Sequence, residues 1–169
     1  MNDFDNFHNR TPKRLIFISF ALALLLDLMP FGTSAVFWLP EFTALVLLYW
    51  TINRPQSIGI TAAFITGLLI DIGTAGLLGQ HALAYMLMIF TVKKYQRQIT
   101  LHSYDWQAVA VFFALCGSQF ALLIIRLVYH HNLPASAWLG FIAPFVGAFL
   151  WPLLNKLMLV VLNFRRLRR

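Results

Sequence analysis

The chain has 169 residues, of which 60% are hydrophobic and only 11% are charged. Soluble domains carry about 25% charged residues, so the composition excludes both a soluble globular protein and a disordered one. The net charge of +7 does not indicate nucleic-acid binding, because the basic residues lie between apolar runs and not together on one amphipathic face.

The first 14 residues are polar and basic, and an apolar run begins at Leu15. This order resembles a signal peptide, but no small-residue cleavage site stands out, and Asp27 interrupts the apolar run. We therefore expect an uncleaved first membrane helix that follows a cytoplasmic basic N-terminus of residues 1–14.

Six apolar segments predict an all-α integral membrane protein with six transmembrane helices in residues 15–162, followed by a basic cytoplasmic tail, 163–169. A helix perpendicular to the bilayer needs about 20 residues to cross the hydrocarbon, so the first four segments are short and the third is the shortest. The third segment is expected either to span with interfacial flanks or local thinning, or to be partly re-entrant. The segments are Leu15–Phe31, Val36–Ile52, Ile58–Ile72, Leu77–Val92, Trp106–Val128 and Ala137–Leu162.

The basic residues predict the orientation of these spans. Eleven of the thirteen lie before the first span, after the last span or in the connections on the same side, and only Arg126 and Lys156 lie inside spans. The alternate connections contain no lysine or arginine. Because cytoplasmic loops are enriched in both residues, we expect both termini in the cytoplasm. The eleven are Arg10, Lys13, Arg14, Arg54, Lys93, Lys94, Arg97, Arg165, Arg166, Arg168 and Arg169.

The third span carries small residues at a spacing of four, namely Gly59, Ala63 and Gly67, and Asp71 follows one turn later. Small residues on one stripe of a membrane helix allow close approach of another helix. We expect packing within the monomer, with a homodimer face as the alternative.

Five ionisable residues from five spans lie in the half of the membrane that the topology places outside. We call Asp27, Glu41, Asp71, His81 and Arg126 the outer polar set. One hypothesis is that Arg126 forms ion pairs with the acids and so holds the helices together. In that case the loss of Arg126 would harm folding more than the loss of Asp71. The other is that the set lines an outward-facing pocket or a partner-docking surface.

The sequence offers no pattern typical of catalysis, of a cofactor or of a metal site. It has no nucleophile elbow, phosphate-binding loop, dinucleotide fingerprint or metalloprotease motif. The adjacent His130 and His131 have no acidic neighbours, so a metal site there is not expected. We predict no enzymatic activity, no cofactor and no bound metal.

Three stretches carry a family resemblance: Pro40–Trp50 followed by Pro55, Gly67–Asp71, and Leu78–Leu83. Together with the length, the six spans and the basic tail, they resemble MreD, the small membrane protein of the bacterial rod-shape system. The resemblance implies a multi-pass protein of the bacterial inner membrane, a non-enzymatic component of the elongation machinery. It also implies that the protein binds MreC, a bitopic protein with a periplasmic domain, and helps to organise peptidoglycan synthesis and cell shape. It also implies RodA, a class B penicillin-binding protein and MreB as indirect partners.

The resemblance further implies a fold similar to the six-helix substrate-binding subunits of energy-coupling-factor transporters. Such a fold would make an outward-facing cavity plausible. The alternative function is therefore a membrane subunit that binds a small molecule or a lipid-linked precursor through the outer polar set.

Overall fold

Six helices form the described part of the chain, which contains no strand; a computed structural model describes residues 13–30, 39–101, 104–130 and 139–166. The all-α fold class is confirmed for these residues. In chain order the helices are α1 (Lys13–Asp27), α2 (Phe42–Asn53), α3 (Ile60–Gly73), α4 (Gln80–Leu101), α5 (Tyr104–His130) and α6 (Ile142–Arg166).

Helix α2 is the centre of the bundle. All residues from Thr43 to Ile52 are buried, and the helix packs against α1, α4 and α6. The indole N–H of Trp50 donates to Ser19 Oγ of α1 at 2.9 Å, which satisfies a buried donor of the core. At 1.5 Å per residue the 12-residue helix is only about 18 Å long. Its neighbours surround it, so its short length does not have to match the bilayer.

Helix α4 differs most from its predicted span. It begins at Gln80, after the left-handed Gly79 (φ 96°), and it continues to Leu101, nine residues beyond the predicted end at Val92. The extension is polar, but Ile99 packs against the core and the Gln96 side chain donates to the carbonyl of Ile52 at 3.2 Å. Hydropathy locates only the apolar part of such a helix.

The predicted starts of the second and sixth spans, Val36 and Ala137, lie outside the described residues.

Helices α3 and α4 pack very closely at Gly67. A Cβ atom on Gly67 would lie 2.5 Å from the Cα and N atoms of Ala82, so no larger residue fits without moving the backbone. Ala63, one turn earlier, is fully buried in the core. Gly59 precedes α3 as its N-cap residue, and a Cβ there would meet only an ordinary contact at 3.9 Å. The close approach therefore centres on Gly67.

The outward faces of the longest helices are apolar. Two segments are long and apolar enough to cross a membrane, Trp106–Tyr129 in α5 and Leu139–Leu162, which includes most of α6; α2 and α3 are shorter apolar helices. Large side chains such as Phe113 (67% exposed) and Phe149 (83%) project away from the bundle. Contiguous exposed apolar surface of this kind is typical of a membrane-facing or partner-facing surface.

Candidate functional site

Asp71 is a buried helix-capping carboxylate. It lies in the last turn of α3 with 1% exposure, and its Oδ2 accepts the backbone N–H of Gly79 at 2.8 Å. Its Oδ1 accepts the backbone N–H of His81 at 3.1 Å and lies 2.6 Å from His81 Nδ1. A negative charge at the N-terminus of α4 also complements the helix dipole. These contacts offset the cost of burying the carboxylate and fix the α3–α4 connection.

Asp27 caps the second helix of the preceding pair, α1 and α2, in the same way. It is the last residue of α1, and its two carboxylate oxygens accept the backbone N–H groups of Phe42 at 2.9 Å and Thr43 at 2.7 Å. The donors are again the first amides of the next helix, which have no partner inside that helix. In both the α1–α2 pair and the α3–α4 pair, an acid at the end of the first helix therefore caps the start of the second.

Glu41 joins three helices. It occupies the N-cap position of α2, but its side chain makes no capping hydrogen bond and points to α4 and α5 instead. Its Oε2 accepts the hydroxyl of Tyr85 at 2.9 Å, and its Oε1 accepts the side-chain amide of Gln119 at 2.5 Å. The rings of Tyr85 and His81 lie edge to face with centroids 6.0 Å apart, so this group adjoins the Asp71–His81 pair.

Arg126 binds a neutral residue. Its Nε–H donates to the Oε1 atom of Gln80, the first residue of α4, at 3.2 Å. Across the described ranges the one close contact between a basic and an acidic side chain is His81–Asp71, so Arg126 forms no ion pair with the acids of the outer polar set. Each of these acids accepts hydrogen bonds from other groups of the chain.

The structure thus places all five members of the outer polar set at the same end of the bundle, where α1, α3 and α5 finish and α2 and α4 begin. It brings Asp71 and His81 into direct contact and leaves Asp27, Glu41 and Arg126 with other partners. Sequence reasoning missed Tyr85, Gln119 and Gln80, because it considered only acidic residues, basic residues and histidine. The available signal was that each of these polar residues interrupts an apolar run.

The arrangement holds helix ends together. Within the ranges that the structure describes, no three histidine, cysteine, aspartate or glutamate side chains lie together in a way that could hold a metal ion. The carboxylates accept backbone and side-chain donors from the next helix or from neighbouring helices, and buried polar contacts of this kind favour one packing arrangement.

Comparison with known proteins identifies one protein family. A family model described as rod shape-determining protein MreD matches residues 9–161, which is most of the chain. The rod shape-determining protein MreD of Haemophilus influenzae is 27% identical over 150 residues, which cover 89% of this chain and 88% of that protein. No solved structure matches, so the similarity to transporter subunits stays a prediction. The predicted family is confirmed: the chain belongs to the MreD family of membrane proteins, which act in rod-shape determination.

Proposed function

We propose that this chain is a non-enzymatic inner-membrane scaffold of the bacterial elongation machinery that binds MreC and helps to organise peptidoglycan synthesis. The observation that carries the proposal is the family match over residues 9–161. The internally bonded polar residues support it, because they make a rigid bundle with a fixed outer surface. RodA, the class B penicillin-binding protein and MreB are indirect partners in this proposal.

We further propose that six helices cross the membrane and that both termini are cytoplasmic. The distribution of basic residues supports this orientation. The short helices fit a multi-pass arrangement, because α2 is enclosed by its neighbours and the polar set lies at one end of the bundle. In this topology the end that carries Asp71 faces outward.

Reporter fusions test the topology. Alkaline phosphatase fused after Arg169 is expected to be inactive, and a fluorescent protein at the same position is expected to fluoresce, because both report a cytoplasmic location. The matched fusions within residues 131–138 are expected to give the opposite pair of results. An active phosphatase after Arg169 would contradict the six-span topology.

Co-purification tests the partner. The tagged chain, extracted in a mild detergent, is expected to retain co-expressed MreC through several washes, because a scaffold must hold its partner stably. A bitopic protein of unrelated function, expressed to the same level, serves as the control and is expected to wash away. Equal retention of both proteins, or of neither, would refute MreC binding.

The alternative function, binding of a small molecule or a lipid-linked precursor through the outer polar set, has less support. The carboxylates of Asp27, Glu41 and Asp71 are occupied by donors of the chain itself. A ligand would have to displace those donors and leave them without partners, which is costly in a buried site.

A further inference from the structure

Arg126 continues the inward-facing stripe of α5. Along this helix Val111, Leu115, Ser118 and Leu122 are buried at helical spacing, and Arg126 follows Leu122 by one turn. Unlike those four residues it is exposed, because it lies where the bundle ends. Its guanidinium therefore lies over the end of the bundle interior, and the large apolar residues of α5 occupy the other side of the helix.

Gln80 orients the guanidinium without neutralising it. Gln80 is buried and lies against the α3–α4 turn, where a Cβ on Gly76 would be 2.6 Å from its amide nitrogen. Its carbonyl oxygen accepts the Nε–H of Arg126. An arginine has five N–H donors, and the four on the two terminal nitrogens have no partner among the described residues. A carboxylate in the place of Gln80 would have cancelled the charge, but an amide does not.

The acids that the structure describes at this end of the bundle form no ion pair with Arg126. Asp27 and Asp71 accept backbone N–H groups, and Glu41 accepts from Tyr85 and Gln119. Among the described residues the one close contact between a basic and an acidic side chain is His81–Asp71. Arg126 is thus an exposed and oriented cation that has no ion-pair partner among the described residues, and such a group suits a planar oxyanion that comes from outside the chain.

We propose that Arg126, oriented by Gln80, binds a carboxylate of a partner protein's segment that docks on the outward end of the bundle. This inference rests on the proposed function and names the contact that the scaffold offers. Phospholipid headgroups lie around the perimeter, next to the apolar faces of the helices. Arg126 lies over the interior instead, and this position favours a protein segment that approaches from the aqueous side.

The test uses the co-purification assay with three variants and a control. Arg126→Gln is expected to lower MreC retention about tenfold, because it removes a charge-assisted contact. Arg126→Lys keeps the charge and is expected to retain more MreC than Arg126→Gln. Gln80→Glu keeps the arginine but supplies an internal carboxylate, so it is also expected to lower retention. Lys156→Gln removes the other cation inside a predicted span, and is expected to bind like the wild type.

The outcomes separate the two proposals. If the wild-type chain retains no MreC, the proposed function fails and this inference fails with it. If the wild type and Arg126→Gln retain MreC equally, only the inference is overturned. The inference alone is also overturned if native mass spectrometry shows that Arg126→Gln loses bound anionic phospholipid while its MreC retention is unchanged. Gln80→Glu keeps the test valid if Arg126→Gln is not monodisperse, because it keeps Arg126 and the size and shape of the side chain at position 80.

Discussion

Replacing Gly67 with alanine is expected to be the most damaging small substitution in this chain. The new Cβ would lie 2.5 Å from two backbone atoms of Ala82 and 2.6 Å from the carbonyl carbon of His81. Backbone atoms cannot rotate away as a side chain can, so α3 and α4 must separate. Overpacking typically costs about 1–3 kcal/mol, and we expect the upper end of that range or more here.

The substitution is also expected to disturb the contacts of Asp71, which lies one turn further along α3. A shift of α4 would lengthen the hydrogen bonds from the carboxylate to the N–H groups of Gly79 and His81. The loss is therefore expected to exceed that of a packing defect alone. The measurement is the midpoint of thermal unfolding in detergent, together with the monodisperse fraction after size-exclusion chromatography.

Gly117 provides the matched control. It lies in the middle of α5, and a Cβ on it would meet nothing within 4 Å. Gly117→Ala is expected to leave the midpoint unchanged or to raise it slightly, because glycine inside a helix costs about 0.5–1 kcal/mol relative to alanine. Similar losses for both variants would show that the Gly67 contact does not determine the packing.

The sequence predicted the helices better than the contacts between their polar residues. Composition and apolar runs are local properties, so the all-α class and the order of the helices could be read directly. Gly67 could also be identified, since small residues at a spacing of four indicate close helix packing. Gly59 has the same spacing but caps α3 instead, because position along the helix decides which small residue meets a neighbour.

The partners of the outer polar set could not be predicted, because many of the donors are backbone N–H groups. Every helix has unpaired amides at its start, but the residue types do not show which acid will reach them. Asp27 and Asp71 both find such amides across a connection. Gln80 was missed for a related reason, since a neutral amide is not expected as the partner of the only arginine within this set.

Replacing Asp71 with alanine is expected to destabilise the protein far more than replacing Arg126 with alanine, which reverses the ranking that the ion-pair hypothesis predicts. Asp71→Ala leaves the N–H groups of Gly79 and His81 without an acceptor. A buried unsatisfied donor costs about 1–3 kcal/mol; the His81 N–H is buried and the Gly79 N–H is half-buried, so we expect a loss of about 2–3 kcal/mol. Arg126→Ala removes one contact of an exposed residue and is expected to cost about 1 kcal/mol or less.

The variant Asp71→Asn separates the effect of the hydrogen-bond geometry at position 71 from the effect of the negative charge. An asparagine keeps one carbonyl oxygen but places an amide group near a backbone donor, so it is expected to unfold at a midpoint between those of the wild type and Asp71→Ala. All three variants are compared by thermal unfolding in the same detergent. A larger loss for Arg126→Ala than for Asp71→Ala would restore the ion-pair hypothesis. The expected order would instead mean that the Asp71 carboxylate, and not Arg126, holds the α3–α4 connection.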